Sequence, residues 1–194
     1  MKLTTKIQKA INVAAQLHLG QVRKSEDRLP YIVHPFAVAW ILSDYTKDEE
    51  VIMAALLHDV LEDVEGYYFA DLVRDFGEKV AAIVKGVSEE KDPIDHVGSA
   101  STWLVRKNGY LLNLETAPIE SLLVSAADKI NNLHTMIDAY QIEGEILWER
   151  FHSPADKRLW FYEEVYKIIE RRLGRVPLVE KFERSLIKAR EILL

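Results

Sequence analysis

The 194 residues predict an all-α protein of about eight to ten helices, organised as a single domain over residues 1–194. Three observations carry that prediction. Apolar residues recur at helical spacing in segment after segment, as in Leu3, Ile7, Ile11, Ala14 and Leu17. No run alternates apolar and polar residues as a half-buried strand would. Glycine and proline fall between the periodic segments, at Gly20, Gly66, Gly144, Pro154 and Pro177 among others.

In chain order, residues 2–19 read as an amphipathic helix stopped by Gly20. A polar loop follows, with a short extended piece at Tyr31–Val33. His34-Pro35 suits a helix start, because proline is tolerated at the first helical position. That helix runs over Pro35–Tyr45, with Phe36, Val38, Ala39, Ile41 and Leu42 on its apolar side. Thr46 or Asp48 caps the next, Glu49–Leu61, whose first turn holds Glu49 and Glu50. Phe69–Asp75 and Glu78–Val87 are helices parted by Phe76-Gly77. Ser88–Gly98, with Pro93 and Gly98, reads as a charged surface loop; long loops of this kind often cover active sites, though most are connectors. Ser101–Leu114 is a helix with Trp103, Leu104, Leu111 and Leu112 inward. Pro118–Tyr140 is strongly apolar, and Glu145–Phe151 follows Gly144. Ala155–Leu173, carrying Trp160-Phe161-Tyr162 in the core, and Leu178–Leu193 complete the chain.

Composition excludes several classes. The chain is 48% hydrophobic and 29% charged, ordinary for a globular protein with a sizeable core. With no cysteine there is no disulfide scaffold, thiol nucleophile or cysteine-ligated zinc, and the composition suits a reducing cytoplasm. Any metal must take His and carboxylate ligands, as Mn, Fe, Mg or Zn do. The net charge is −6 and no Lys/Arg-rich run stands out, which argues against general nucleic-acid binding. Lys2, Lys6 and Lys9 are spread through a helical N-terminus, unlike a signal peptide, and no membrane segment appears. A homo-oligomer is compatible with the sequence, which leaves oligomeric state open.

Two stretches place acids where acids are expensive. Seven apolar residues, Val51 to Leu57, run directly into His58-Asp59, with Glu62 and Asp63 one turn later. Asp128 sits in SLLVSAADKI, with Asn132 and Thr135 on its face at i+4 and i+7, while neighbouring Lys129 points about 100° away. A buried carboxylate needs a compensating cation. A divalent metal supplies one, and His-Asp is a suitable ligand pair. On a helix, Glu62 shares a face with His58 and would be a proton carrier beside whatever His58 binds.

These pieces fall into an ordered set: Gly20-Gln21-x-Arg23-Lys24, Pro30-Tyr31-Ile32-x-His34-Pro35, Ala55-Leu56-Leu57-His58-Asp59-Val60-x-Glu62-Asp63, Phe76-Gly77, and Ala127-Asp128-Lys129-x-x-Asn132-Leu133. The set resembles the HD-superfamily hydrolases, and within them the hydrolase domain of RelA/SpoT proteins and the stand-alone small alarmone hydrolases. It covers roughly Ile7 to Ile169. The resemblance implies an HD-domain helical bundle that removes pyrophosphate from guanosine 3′,5′-bis(diphosphate) and its pentaphosphate with Mn2+. It implies His34, His58, Asp59 and Asp128 as metal ligands, and Glu62 and Asp63 as the acid/base pair. Substrate contacts would be Arg23, Lys24, Lys129 and Asn132, with Arg106 and Arg150 carried over weakly. His18 would support the first loop, while His96, His134 and His152 receive no role. Ser25–Leu29 is more acidic than the family's usual turn, and the expectation is a hydrolase region without a synthetase domain after it. Two other readings share these residues: a hydrolase of another nucleotide, such as an adenosine alarmone, and a catalytically idle nucleotide sensor.

Overall fold

Two helices form the centre of the fold, the short and largely apolar Glu49–Leu57 and the long Ile119–Glu143, and the other elements are arranged around them. The computed structural model describes residues 2–23, 29–89, 102–150 (of Arg150, the backbone only) and 154–194. Among these residues there are ten α-helices, one 3-10 helix and no strand, so the all-α expectation holds. The helices are α1 (Thr5–Leu17), α2 (Val33–Leu42), α3 (Glu49–Leu57), α4 (Val60–Asp63), α5 (Phe69–Phe76), α6 (Glu78–Lys85), α7 (Trp103–Thr116), α8 (Ile119–Glu143), α9 (Ala155–Leu173) and α10 (Pro177–Leu193); the 3-10 helix is Gly144–Arg150.

Helix α3 starts where the sequence signals it, with the Asp48 carboxylate accepting from the Glu50 amide at 2.9 Å and Glu49 and Glu50 in the first turn. Every residue from Val51 to Leu57 is buried. Such burial stabilises by about 1.5–3 kcal/mol per large side chain, which is why this run takes the middle of the molecule. Helix α3 packs against α1, α2, α6 and α8; α8 packs against α2, α3, α6, α9, α10 and the 3-10 helix. Helices α2, α3 and α8 therefore touch one another pairwise.

Four expectations are corrected. The helix expected over Glu49–Leu61 breaks after Leu57, and its continuation is the single turn α4. The imidazole of His58 bonds the carbonyl of Ala55 at 2.8 Å, and Asp59 takes φ −95 and ψ −5, so the chain swings before resuming. The extended piece expected at Tyr31–Val33 is a turn running into α2, and the extended contact is an isolated bridge between Val22 and Pro30. Phe36 is exposed rather than inward, stacked on Trp40 with ring centroids 6.4 Å apart. Helix α7 is rotated from its expected setting. Leu104 and Leu112 face out while Trp103, Tyr110 and Leu114 are buried, and Arg106 and Lys107 turn toward Glu89. That ion-pair cluster, with Lys107 Nζ 4.6 Å from the Phe161 ring centre, fixes the rotation against the apolar pattern. Of the expected aromatic core, Phe161 and Tyr162 are buried and Trp160 is partly exposed. Residues 90–98 of the expected loop, and His96 and His152, lie outside the described residues.

Candidate metal centre

Helix α2 carries His34 in its first turn, α3 ends at His58-Asp59, and α8 carries Asp128 near its middle. Their pairwise packing brings these four side chains to one point. His58 Nε2 lies 3.1 Å from Asp59 Oδ2 and 3.7 Å from Asp128 Oδ1; His34 Nε2 lies 3.1 Å from Asp128 Oδ1 and 3.7 Å from Asp59 Oδ2. The ligand atoms of His34, His58 and Asp59 all fall within 4.8 Å of one another, a spacing that fits a metal ion.

The outer bonds of the two rings test that fit. The Ala55 carbonyl can only accept, so His58 Nδ1 donates to it at 2.8 Å. His34 Nδ1 lies 2.7 Å from Asn131 Oδ1. Each bond holds the proton on Nδ1 and aims Nε2 into the cluster, the arrangement in which metal-bound imidazoles are usually held. His58 Nε2 is buried and has no hydrogen-bond partner among the described residues. Tyr31 donates its hydroxyl to Asp59 Oδ2 at 2.7 Å, fixing that carboxylate. A divalent cation in an all-N/O site suits this donor set.

Electrostatics agrees with the geometry. Burial alone would push Asp59 and Asp128 up. The imidazoles hold Asp59 below the usual carboxylate range, and Lys129 with both imidazoles holds Asp128 well below it. Burial disfavours a charged His58, yet Asp59 and Asp128 outweigh it and raise the ring to about 9.

Lys129 corrects another expectation. Its side chain does not point away from Asp128 but folds back to donate to Asp128 Oδ2 at 2.6 Å. It lies buried, 4.7 Å from the centre of the Tyr110 ring. Asn132 donates to Asp128 Oδ1 at 2.6 Å and accepts from Arg23 Nη2 at 3.3 Å. Arg23 itself lies over the Tyr31 ring at 5.7 Å. The loop that presents it is held by the Val22–Pro30 bridge and by Gln21, whose Oε1 accepts from His18 Nδ1 at 2.7 Å and whose Nε2 donates to the Asp63 carbonyl at 2.7 Å. His18 thus supports the loop as expected.

Glu62 remains beside the cluster despite the helix break. Burial first, then Glu89, Asp59 and Asp63, raise its carboxyl to about 8, against a lowering influence from Lys107. Asp63 is exposed at the end of α4. Arg106 is directed at Glu89, 3.7 Å away, and Thr135 is exposed. Lys24 and the side chain of Arg150 lie outside the described residues. Sequence reasoning missed Asn131, Glu89 and the part played by the Tyr31 hydroxyl. Asn131 was within reach, since position i+3 from Asp128 shares its face. Nothing local marks Glu89, 27 residues from Glu62 in the chain.

Comparison with known proteins places the arrangement. The bifunctional (p)ppGpp synthase/hydrolase SpoT of Escherichia coli is 38% identical over 170 residues, and a GTP pyrophosphokinase of Streptomyces coelicolor is 41% identical over 130 residues. Those alignments take in 87% and 67% of this chain but 22% and 14% of the relatives, so the chain spans a minor part of their length. A solved structure described as a metazoan ortholog of SpoT that hydrolyzes ppGpp superposes with a TM-score of 0.78, covering 100% of this chain and 99% of that one at 28% identity. The family model for the HD domain matches residues 10–149, the span that holds His34, His58, Asp59 and Asp128, and the chain belongs to that family.

Proposed function

We propose that residues 1–194 act as a single metal-dependent hydrolase domain that removes pyrophosphate from the 3′ position of guanosine 3′,5′-bis(diphosphate) and its pentaphosphate, leaving GDP or GTP. The observation that carries this reading is the convergence of the two Nε2 atoms with Asp59 and Asp128, with Glu62 beside them. The names of the hydrolase relatives supply the substrate class. His34, His58, Asp59 and Asp128 would hold the metal, with Mn2+ as the expected ion. A bound divalent cation supplies Lewis acidity, polarising a phosphoryl oxygen and lowering the pKa of water.

The chain's own groups do the rest. Glu62, raised to about 8, holds a proton near neutrality and exchanges it readily, as an acid/base group must. Asp63 is its partner in orienting the attacking water. Arg23 offers a planar guanidinium for the base, and its bond to Asn132 ties that contact to Asp128. Lys129, turned onto Asp128, fits a positioning role better than a substrate contact. Water attacks the 3′-pyrophosphoryl group and the nucleoside 3′-oxygen leaves, so positioning and charge stabilisation suffice without a covalent nucleophile. The setting is the cytoplasm and the partner a free nucleotide, not a nucleic acid or a membrane. No helix among the described residues is long and apolar enough to cross a membrane.

The test is pyrophosphate release from a panel of guanosine and adenosine 3′-pyrophosphates, with and without Mn2+. Mn2+-dependent release from the guanosine compounds is expected. Release only from adenosine compounds overturns the substrate assignment, and binding without release overturns the enzymatic one.

A further inference from the structure

A second polar cluster lies away from the metal centre, in a shallow open basin of about 390 Å3. Its walls are Tyr45 from the turn between α2 and α3, His134 from α8, and Lys181, Arg184, Ser185 and Lys188 from α10. His134 follows Asp128 by six residues, a rotation of about 240° round the helix, so the basin and the metal centre use different sides of α8.

Helical spacing puts Lys181, Ser185 and Lys188 at i, i+4 and i+7 on one stripe of α10, with Arg184 beside it. Ser185 donates its hydroxyl to the Lys181 carbonyl at 3.0 Å, and is therefore the acceptor for His134 Nε2 at 3.0 Å. Lys181 Nζ lies 5.8 Å from the Tyr45 ring centre. Arg184 has one distant ion pair, to Glu180 at 4.0 Å; Lys181 and Lys188 have none among the described residues. Elsewhere on this surface cations are commonly paired, as Lys79 is with Asp48 and Glu50, and Arg175 with Glu170 and Glu183. The His134 ring senses the difference. Burial, and then the charges of Lys181 and Lys188, hold it below the usual histidine range against the opposing influence of Asp138. A local excess of positive charge in a chain of net charge −6 is a feature of this basin, not of the bulk composition.

We propose that this basin binds the phosphate group of a small soluble phosphorylated molecule. Lys181, Arg184 and Lys188 provide the countercharge, and the Tyr45 ring provides a wall for the organic part. The volume falls at the small end of the about 300–1,000 Å3 typical of small-molecule sites.

The test follows the histidine side chains by NMR in the full chain loaded with Mg2+, titrated with inorganic phosphate and with glycerol 3-phosphate. The His134 signals should shift saturably with both probes. The titration midpoint of His134 should rise, because a bound anion favours the imidazolium. The double variant Lys181→Ala, Lys188→Ala should weaken both effects at least about tenfold while its thermal midpoint stays put. Lys188→Glu alone should act in the same direction and serves if the double variant is unstable. Three results overturn the proposal: a His134 response matched by sodium chloride at equal ionic strength, binding unchanged in the variants, or shifts confined to His34 and His58, which would place the phosphate at the metal centre.

Discussion

Glu62 owes its candidate role first to desolvation at its half-buried position and then to the acids around it, two on its own turn and one from a distant segment. Three other acids, Glu89, Asp59 and Asp63, act on it, so its proton is held against the pull of a normal carboxylate. Glu62→Gln keeps the shape and removes the exchangeable proton. Turnover should fall by roughly 10²–10⁴-fold, the usual size of acid/base catalysis, with metal content unchanged by elemental analysis. Near-normal turnover would remove Glu62 from the mechanism. Asp128 is different because it serves two neighbours. Asp128→Ala should lower metal content, and it should also leave Lys129 buried without its 2.6 Å partner. Breaking a buried pair in this way costs about 3–5 kcal/mol, so denaturant unfolding of the chelator-treated protein should show the loss with no metal present. Equal stability of variant and parent under those conditions would mean that Lys129 finds water or another acceptor. The sequence marked Asp128 as an acid in need of a cation. It did not show that a lysine one residue away could serve, because helical geometry separates the two Cβ directions while a long flexible side chain can fold back across them.

At the level of elements, most helices were legible because their ends carry local chemistry. Asp48 caps α3, Pro177 opens α10 and Gly144 stops α8 at φ +62. The break at His58 was not legible, since it depends on a side chain bonding its own helix's carbonyl at 2.8 Å. The facing of α7 was not legible either: its apolar residues suggested one inward side, and ion pairs formed across the fold selected another. Close approach of helices is equally silent in one sequence. A Cβ added to Gly86, at the end of α6, would lie 2.4 Å from Ser121 Oγ and 2.9 Å from Ser121 Cβ on α8. The backbone of Gly86 is ordinary for any residue, with φ −64, so glycine is needed there for space alone. Ser121 has little room to yield, because its hydroxyl bonds the Ile83 carbonyl at 2.9 Å. Gly86→Ala should destabilise by about 1–3 kcal/mol in denaturant unfolding. Adding Ser121→Gly should recover part of that loss, a non-additivity that identifies the contact. Strict additivity of the two changes would mean that α6 and α8 can move apart without penalty.

The whole molecule is held at one point by groups from three mutually packed helices, so metal binding and folding are linked. A metal that binds only the folded chain adds about 2.7 kcal/mol at a hundredfold excess over its dissociation constant. For a domain of this size that corresponds to a thermal midpoint higher by roughly 5–11 °C. The pH dependence has a definite sign. In chelator-treated protein His58 is raised to about 9 by Asp59 and Asp128, above the ordinary histidine value of 6.5. A group raised on folding gives stability that is complete below its unfolded pKa and is lost as pH climbs through its folded one. The metal-free protein should therefore lose stability between about pH 6.5 and 9. Metal binding runs the other way, because the ion must displace a proton from Nε2 and so gains affinity as that proton is lost. The gap between Mn2+-loaded and chelator-treated midpoints should widen steadily across this window, and calorimetry should detect proton release on binding that shrinks toward pH 9. A gap that stays constant, with no proton released at neutral pH, would mean that His58 is already neutral before the ion arrives. The two carboxylates would then be balanced by Lys129 alone, and the imidazoles would add coordination without adding pH control.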